Sequence, residues 1–297
     1  MKKDSSTRRR DLIRAGAILG LSLPLMGRRV SAEREAVDAP LFTQMGINAG
    51  LNRAAAVAAE GADFLLVSVN KCLIPNAPEA EFEKQLQLLE ESPIPVLSCN
   101  GFLQGETLRS IGPNARVDNI LRFAAIACQR AKRAGVERIV FGSSGSRKLP
   151  EGWTKEQADE AFIPLLKKLG DVAGDAGIVI TVENLRKQEC NYLTRLAEVG
   201  EIVTKTDHPH IRMLADLYHG SVMEDPPEVL EKYAHLVDIV EIAEAKGRTI
   251  PGVGGQDFGP YFEALRRGGY RGPIEIEGKW KIGQVAKAFA TIRQQSA

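Results

Sequence analysis

The sequence predicts a single-domain (β/α)8 TIM barrel, and three observations predict it. Eight short apolar runs alternate with helical stretches over about 260 residues. Helical stretches stop at glycine before the next run begins, as at Gly61, Gly135 and Gly177. Chemically versatile residues close nearly every run, and parallel barrels build their sites at the C-terminal strand ends. An open doubly wound sheet shares the alternation but does not explain that last feature.

The runs follow in order. Residues 44–48 (QMGIN) end in Asn48, 64–69 (FLLVSV) lead to Asn70, and 95–100 (PVLSCN) end in Asn100. A helix over 119–134 then places Ile120, Phe123, Ala124 and Ala127 on one face. The fourth run, 138–143 (RIVFGS), ends in Ser143. Helical spacing over 155–176 precedes 178–184 (IVITVEN), and a helix over 192–206 precedes 211–216 (IRMLAD). Residues 237–242 (VDIVEI) and 273–277 (PIEIE) supply the last two strands, and a helix over 281–295 closes the chain.

A carboxylate closes or nearly closes each of the last four runs: Glu183, Asp216, Glu241 and Glu277. In a parallel barrel these converge on one rim. Four carboxylates cannot all ionise in one pocket, because repulsion and lost hydration return protons to them. A divalent cation resolves that conflict, so a metal site is expected before any family is considered.

The first 32 residues read as a targeting segment. Lys2, Lys3, Arg8, Arg9, Arg10 and Arg14 precede an uncharged stretch from Ala15 to Gly27, and Val30-Ser31-Ala32 offers a cleavage site. Arg9-Arg10-Asp11-Leu12-Ile13 is similar to a twin-arginine signal, with Leu12 where Phe is common. The expectation is a signal over 1–32, a barrel over 33–297, and a periplasmic or secreted address by the twin-arginine route. An uncleaved basic tail is the bland alternative. The apolar run is too short to span a bilayer, so no stable membrane insertion is expected after cleavage.

Net charge is +1 for the whole chain, but removing residues 1–32 leaves 31 Lys and Arg against 36 Asp and Glu, net −5. A mildly acidic domain argues against nucleic acid as a partner. Cys72, Cys99, Cys128 and Cys190 form no CxxC pair and read as core thiols. Two stretches rich in Gly, Pro and cations, 144–154 (SGSRKLPEGWT) and 245–257 (AKGRTIPGVGGQD), read as substrate-covering loops or as ordinary surface connections. Arg147 and Trp153 on the first are candidate lid contacts. The glycines at 252–255 lack dinucleotide-binding spacing.

The segments ENLRKQECNYL, DHPHIRMLADLYH, AEAKGRTIPGVGGQDF and GYRGPIEIEG together resemble the xylose isomerase-like TIM-barrel superfamily. The resemblance spans roughly residues 42–290. It is strongest to the sugar isomerase/epimerase branch, which includes ketose 3-epimerases and hydroxypyruvate isomerases. It implies one divalent metal held by Glu183, Asp216, Glu241 and Glu277. Glu241 stands where the family has His or Gln, and the all-oxygen set favours Mn²⁺ or Mg²⁺ over Co²⁺ or Zn²⁺. It also implies Glu183 and Glu277 as the proton-transferring residues, acting through an enediolate intermediate on a carbohydrate substrate. Glu189, His219 and Arg248 match the family's sugar-binding positions, and Asn48 sits on the same rim. Taken singly, Glu189 also reads as a helix-end charge and Arg248 as a solvated surface cation. A lyase or dehydratase acting on oxidised (3-keto) sugars or glycosides, and a non-catalytic sugar-binding barrel, are the alternatives. An endonuclease IV-like centre needs more histidines than the four present. Barrels of this kind often pair through their helices, which leaves a homo-oligomer open.

Overall fold

The computed structural model describes residues 39–297. The expected signal over 1–32 lies outside the described residues. Eight parallel strands close in sequence order: β1 Phe42–Asn48, β2 Phe64–Ser68, β3 Val96–Asn100, β4 Arg138–Phe141, β5 Val179–Glu183, β6 Ile211–Asp216, β7 Val237–Ile242 and β8 Gly272–Ile276. β1 pairs with both β2 and β8, so the sheet has no free edge. This is the expected (β/α)8 barrel.

Two hydrophobic clusters follow from the period-two alternation of strands. Phe64, Leu97, Val140, Leu214 and Ile239 fill the barrel interior. A larger cluster lies outside, where residues such as Val67, Ile139, Ile180 and Ile242 meet helices carrying Phe123, Phe162, Leu166 and Phe289. Because both strand faces are covered, the strands read as continuous apolar runs rather than alternating ones.

The helices 117–134 and 155–176 match their expected spans within two residues. Gly135 and Gly177 end them in left-handed geometry, at φ 71° and 74°, a conformation that costs a glycine nothing sterically. Thr154 opens the second helix with a reciprocal cap: its N–H donates to the Gln157 side chain at 2.9 Å, and its hydroxyl accepts the Gln157 N–H at 3.3 Å.

Three boundaries differ from expectation. β4 stops at Phe141 because Ser143 turns left-handed, at φ 38°. The expected 192–206 helix starts at Leu196, since Leu193 has φ 55° and the Thr194 and Arg195 N–H groups are taken by Glu198. The final helix starts at Val285, where Glu60 accepts the N–H groups of Gly283, Val285 and Ala286. Among the described residues no helix is long and apolar enough to cross a membrane.

Candidate metal centre

The C-terminal rim brings the four predicted carboxylates together. Glu183 ends β5, Asp216 ends β6, Glu241 lies in β7, and Glu277 follows β8. Asp216 is registered on Glu241, and Glu241 on Glu275, so their side chains rise on the inner face. One oxygen from each of Glu183, Asp216, Glu241 and Glu277 lies within 4.8 Å of the others.

Each carboxylate is set by its own neighbours. Gly142 leaves room for Glu183, since a Cβ there would stand 1.9 Å from Glu183 Oε2. Asp216 caps the helix Leu217–Val222 by accepting the His219 N–H at 2.9 Å. Asn184, adjacent to Glu183, locks it further: its amide donates to the Asp216 carbonyl and its oxygen accepts the Asp216 N–H, both at 3.0 Å. Glu277 receives Asn100 Nδ2 at 2.6 Å and Asn48 Nδ2 at 3.4 Å on one oxygen, and Arg248 on the other. Among the described residues, no N–H or hydroxyl donor reaches either oxygen of the buried Glu241.

Electrostatics follow from that crowding. Burial, then Asp216 and Glu277, hold Glu183 well above the usual carboxylate range. Burial, then Glu277 and Glu183, do the same to Glu241. Burial pushes Asp216 up to about 7. Glu277 is raised by burial too, with Arg248 and Asn100 pulling against it. A centre that holds protons it would release to a cation, with two orphaned carboxylate oxygens facing inward, fits a divalent metal. Every donor in the four-residue set is a carboxylate oxygen.

His219 stands beside this set. Its Nδ1 accepts the Arg186 backbone N–H at 3.2 Å, which leaves the ring proton on Nε2. That nitrogen faces Asp216 Oδ2 at 3.5 Å, Glu183 Oε1 at 3.6 Å and Glu189 Oε2 at 3.9 Å. Burial lowers the ring to about 3, so it stays neutral. Although it lies close enough to Glu183 and Asp216 to complete a three-residue cluster, a protonated Nε2 cannot ligate a cation. It is placed as a donor.

Arg248 reaches in from the loop after β7. Its guanidinium lies 4.5 Å over the Tyr218 ring, and it bonds the Glu277 carbonyl at 3.2 Å and Glu189 at 3.5 Å. Burial opposes its charge, but Glu277, Asp216 and Glu189 outweigh that and raise its pKa. It is therefore no solvated surface cation. Glu189 also accepts Arg186 Nε at 2.8 Å.

The lid contact expected of Arg147 is corrected. Its side chain is fully buried beneath the rim, with Nε donating to the Gly142 carbonyl at 2.6 Å and Nη2 to the Glu183 carbonyl at 2.5 Å. It props the end of β5 from outside the lumen. Trp153 is half-buried on the same loop and makes no hydrogen bond or ring contact with the cluster.

Sequence reasoning missed Glu275. It is fully buried one layer below Glu277, pushed up to about 7 by burial, and accepts the Ser98 hydroxyl at 3.0 Å. Ser98 and Asn100 are two apart on β3, as Glu275 and Glu277 are across the lumen. Two rungs, Ser98–Glu275 and Asn100–Glu277, thus span the barrel interior. The spacing of two was the available signal.

The fold and this rim define a parallel barrel with four carboxylates converging at its C-terminal mouth. The chain belongs to the xylose isomerase-like TIM barrel family, which it matches over residues 53–295. It is 30% identical over 125 residues to a 3-dehydro-D-guloside 4-epimerase of Escherichia coli (strain K12), covering 42% of this chain and 47% of that protein. The chain therefore spans about half the length of that relative. A putative hydroxypyruvate isomerase of Streptomyces coelicolor is 26% identical over 265 residues, 84% of this chain and 91% of that one. Among solved structures, a 3-keto-D-glucoside 4-epimerase from E. coli in its apo form superimposes with a TM-score of 0.70 at 23% identity. That match covers 84% of this chain and 99% of the other, and it shows the fold. Ketose and ribulose 3-epimerases occur among the other relatives, and so do dehydratases.

Proposed function

We propose that the protein is a divalent-metal-dependent sugar isomerase or epimerase that moves a proton next to a carbonyl. One observation carries this reading: four carboxylates converge within 4.8 Å, and among the described residues no N–H or hydroxyl donor reaches either Glu241 oxygen. Glu183, Asp216, Glu241 and Glu277 would hold the ion, and their all-oxygen set favours Mn²⁺ or Mg²⁺. When bound, the ion supplies Lewis-acid polarisation of the substrate carbonyl, which acidifies the neighbouring C–H.

The chain's own residues supply the rest. Glu277, fixed by Asn48, Asn100 and Arg248, is held as the proton acceptor on one side of that carbon. Glu183 would be a carboxylate while the ion is bound, and a proton that it takes up from the substrate or from water is the one it would return from the other side. Return to the opposite face of the same carbon is epimerisation; return to the adjacent carbon is isomerisation. The Nε2–H of His219, Glu189 and the guanidinium of Arg248 would hold sugar hydroxyls, a reading supported by their position beside the carboxylates.

Glu183→Gln and Glu277→Gln test the assignment. Each should abolish solvent-deuterium incorporation into ketoses and 3-keto sugars while leaving the circular dichroism spectrum unchanged. Full turnover in both variants would sink it. Product mass separates the chemistries: a product lighter by water or an aglycone reassigns the chain to a lyase.

The address belongs to the same proposal. Residues 1–32 carry the paired Arg9 and Arg10 that suit twin-arginine export of a folded, metal-loaded protein. Replacing both with Lys should retain the protein in the cytoplasm, and fractionation that still finds it outside would refute the route.

A further inference from the structure

A second recess lies on the rim beside the carboxylates. Its volume is about 270 Å³, and Thr249, Val253, Lys279, Trp280, Lys281 and Gln284 line it. Its walls are the segments that follow β7 and β8. They are joined by a strand-like bridge between Thr249 and Lys279, and by the Lys279 N–H, which donates to the Arg248 carbonyl at 2.6 Å. Thr249 directly follows Arg248. Trp280 is three residues beyond Glu277, at most about 11 Å along the chain. The recess thus adjoins the rim: Trp280 bonds the Asn48 carbonyl, and the Asn48 amide in turn bonds Glu277.

Three properties mark it as a binding surface. Trp280 is fixed in place: its indole N–H donates to the Asn48 carbonyl at 3.0 Å, and the Arg53 guanidinium lies 5.0 Å over its ring. An aromatic ring held this way is a pre-organised platform, because little rotamer freedom remains to be lost on binding. Val253 is 52% exposed and Ile282, next to Lys281, is 64% exposed, two of the four large apolar side chains most open to solvent among the described residues. Lys279 and Lys281 are exposed, and neither has an acidic partner among the described residues. An acidic mouth repels anions, whereas two unpaired ammonium groups at its edge attract them.

We propose that this recess is a subsite for a distal, carboxylate-bearing unit of the substrate, an acidic sugar linked to the unit that reacts in the mouth. The apolar walls and the Trp280 ring take the sugar's C–H surface, and Lys279 and Lys281 take its carboxylate. The proposal deepens the carbohydrate reading above and rests on it.

Two measurements on the mature, metal-loaded protein test it. The first compares kcat/KM for a 3-keto glycoside whose distal unit is a uronate with that for its neutral counterpart. The uronate compound should be preferred by at least about fivefold through KM, with the preference shrinking as salt rises. The Lys279→Ala/Lys281→Ala double variant should lose the preference and keep the neutral compound's constants. Equal constants for both compounds in the native protein, or a preference that survives the double variant, would overturn the proposal.

The second measurement needs no turnover. Methyl glucuronide is titrated against the indole N–H resonances of the chain's two tryptophans, with Trp280→Phe assigning the signal. Saturable movement of the Trp280 signal that disappears in the double lysine variant supports the subsite. No movement in the native protein overturns it. Glucuronide binding without turnover of any sugar would leave the recess standing and remove the isomerase reading instead.

Discussion

Gly142 shows how narrowly the centre is cut. A methyl group there would occupy the space of Glu183 Oε2, so Gly142→Ala should displace the carboxylate from the cluster, and under the metal reading proposed above this is read as lost affinity. The expected loss is about 10–100-fold in metal affinity, the usual scale for disturbed ligand support, with the fold retained. Calorimetric metal titration reads it directly, and native-like affinity would show that the carboxylate has slack. Asn100→Ala belongs to the same class. It removes the 2.6 Å donor to Glu277 and should lower kcat more than it raises KM. The convergence of four carboxylates was legible in the sequence because each closes or nearly closes an apolar run. Arg147 was misjudged because a cation in a Gly- and Pro-rich stretch reads as exposed, and nothing in the sequence reveals two backbone carbonyls waiting for it. Asn184 and Glu275 were missed for a related reason: each lies within two residues of a conspicuous carboxylate and acts through a partner distant in sequence, Asp216 on the neighbouring strand or Ser98 across the lumen, that composition does not display.

Among the elements, the loop after β7 has one organising side chain. Glu244 is buried, and its two oxygens accept the N–H groups of Gly252, Gly254, Gly255 and Gln256 and the Thr249 hydroxyl. Burial raises its pKa, but those bonds outweigh it and keep the group ionised. Arg248 hangs from this loop in a left-handed conformation, φ 52°, so its position depends on the clasp. Glu244→Ala leaves at least four donors unmet. It should raise KM several-fold, lower stability by about 1–3 kcal/mol, and speed amide exchange at 249–256. Unchanged exchange there would mean the loop is held by other contacts. Strand existence and order were legible from periodicity. Boundaries failed where a single residue leaves the common backbone regions, at Ser143 and Leu193, since such positions are chosen by tertiary fit.

For the whole molecule, the metal-free protein stores a pH-dependent instability. Asp216 and Glu275 are raised to about 7 in the folded chain, against about 4 in an unfolded one. The folded state therefore binds more protons between those values. Their contribution to stability is full below about pH 4 and is lost as pH rises through about 7. With chelator present, Tm should fall between pH 5 and pH 8. Saturating Mn²⁺ should abolish that fall and add about 2.7 kcal/mol at a hundredfold excess over Kd, several degrees in Tm. Calorimetry at both pH values checks it, and a flat metal-free profile would contradict the crowded-carboxylate account. His219, lowered to about 3 from an ordinary value near 6.5, works the other way: the unfolded chain binds its proton between those values, so it offsets part of the fall at the acidic end of the window.

The closure of β1 on β8 has a consequence for the newborn chain. The strand that seals the cylinder and the glutamate that follows it leave the ribosome only after β1 to β7. Until then β1 and β7 present bare backbone edges, and Ser98 and Asn100 reach across the lumen toward partners that have not emerged. A chain cut off before residue 272 would thus be open-edged and without a site at the same time. Quality control by edge-binding chaperones and loss of the completed site would coincide.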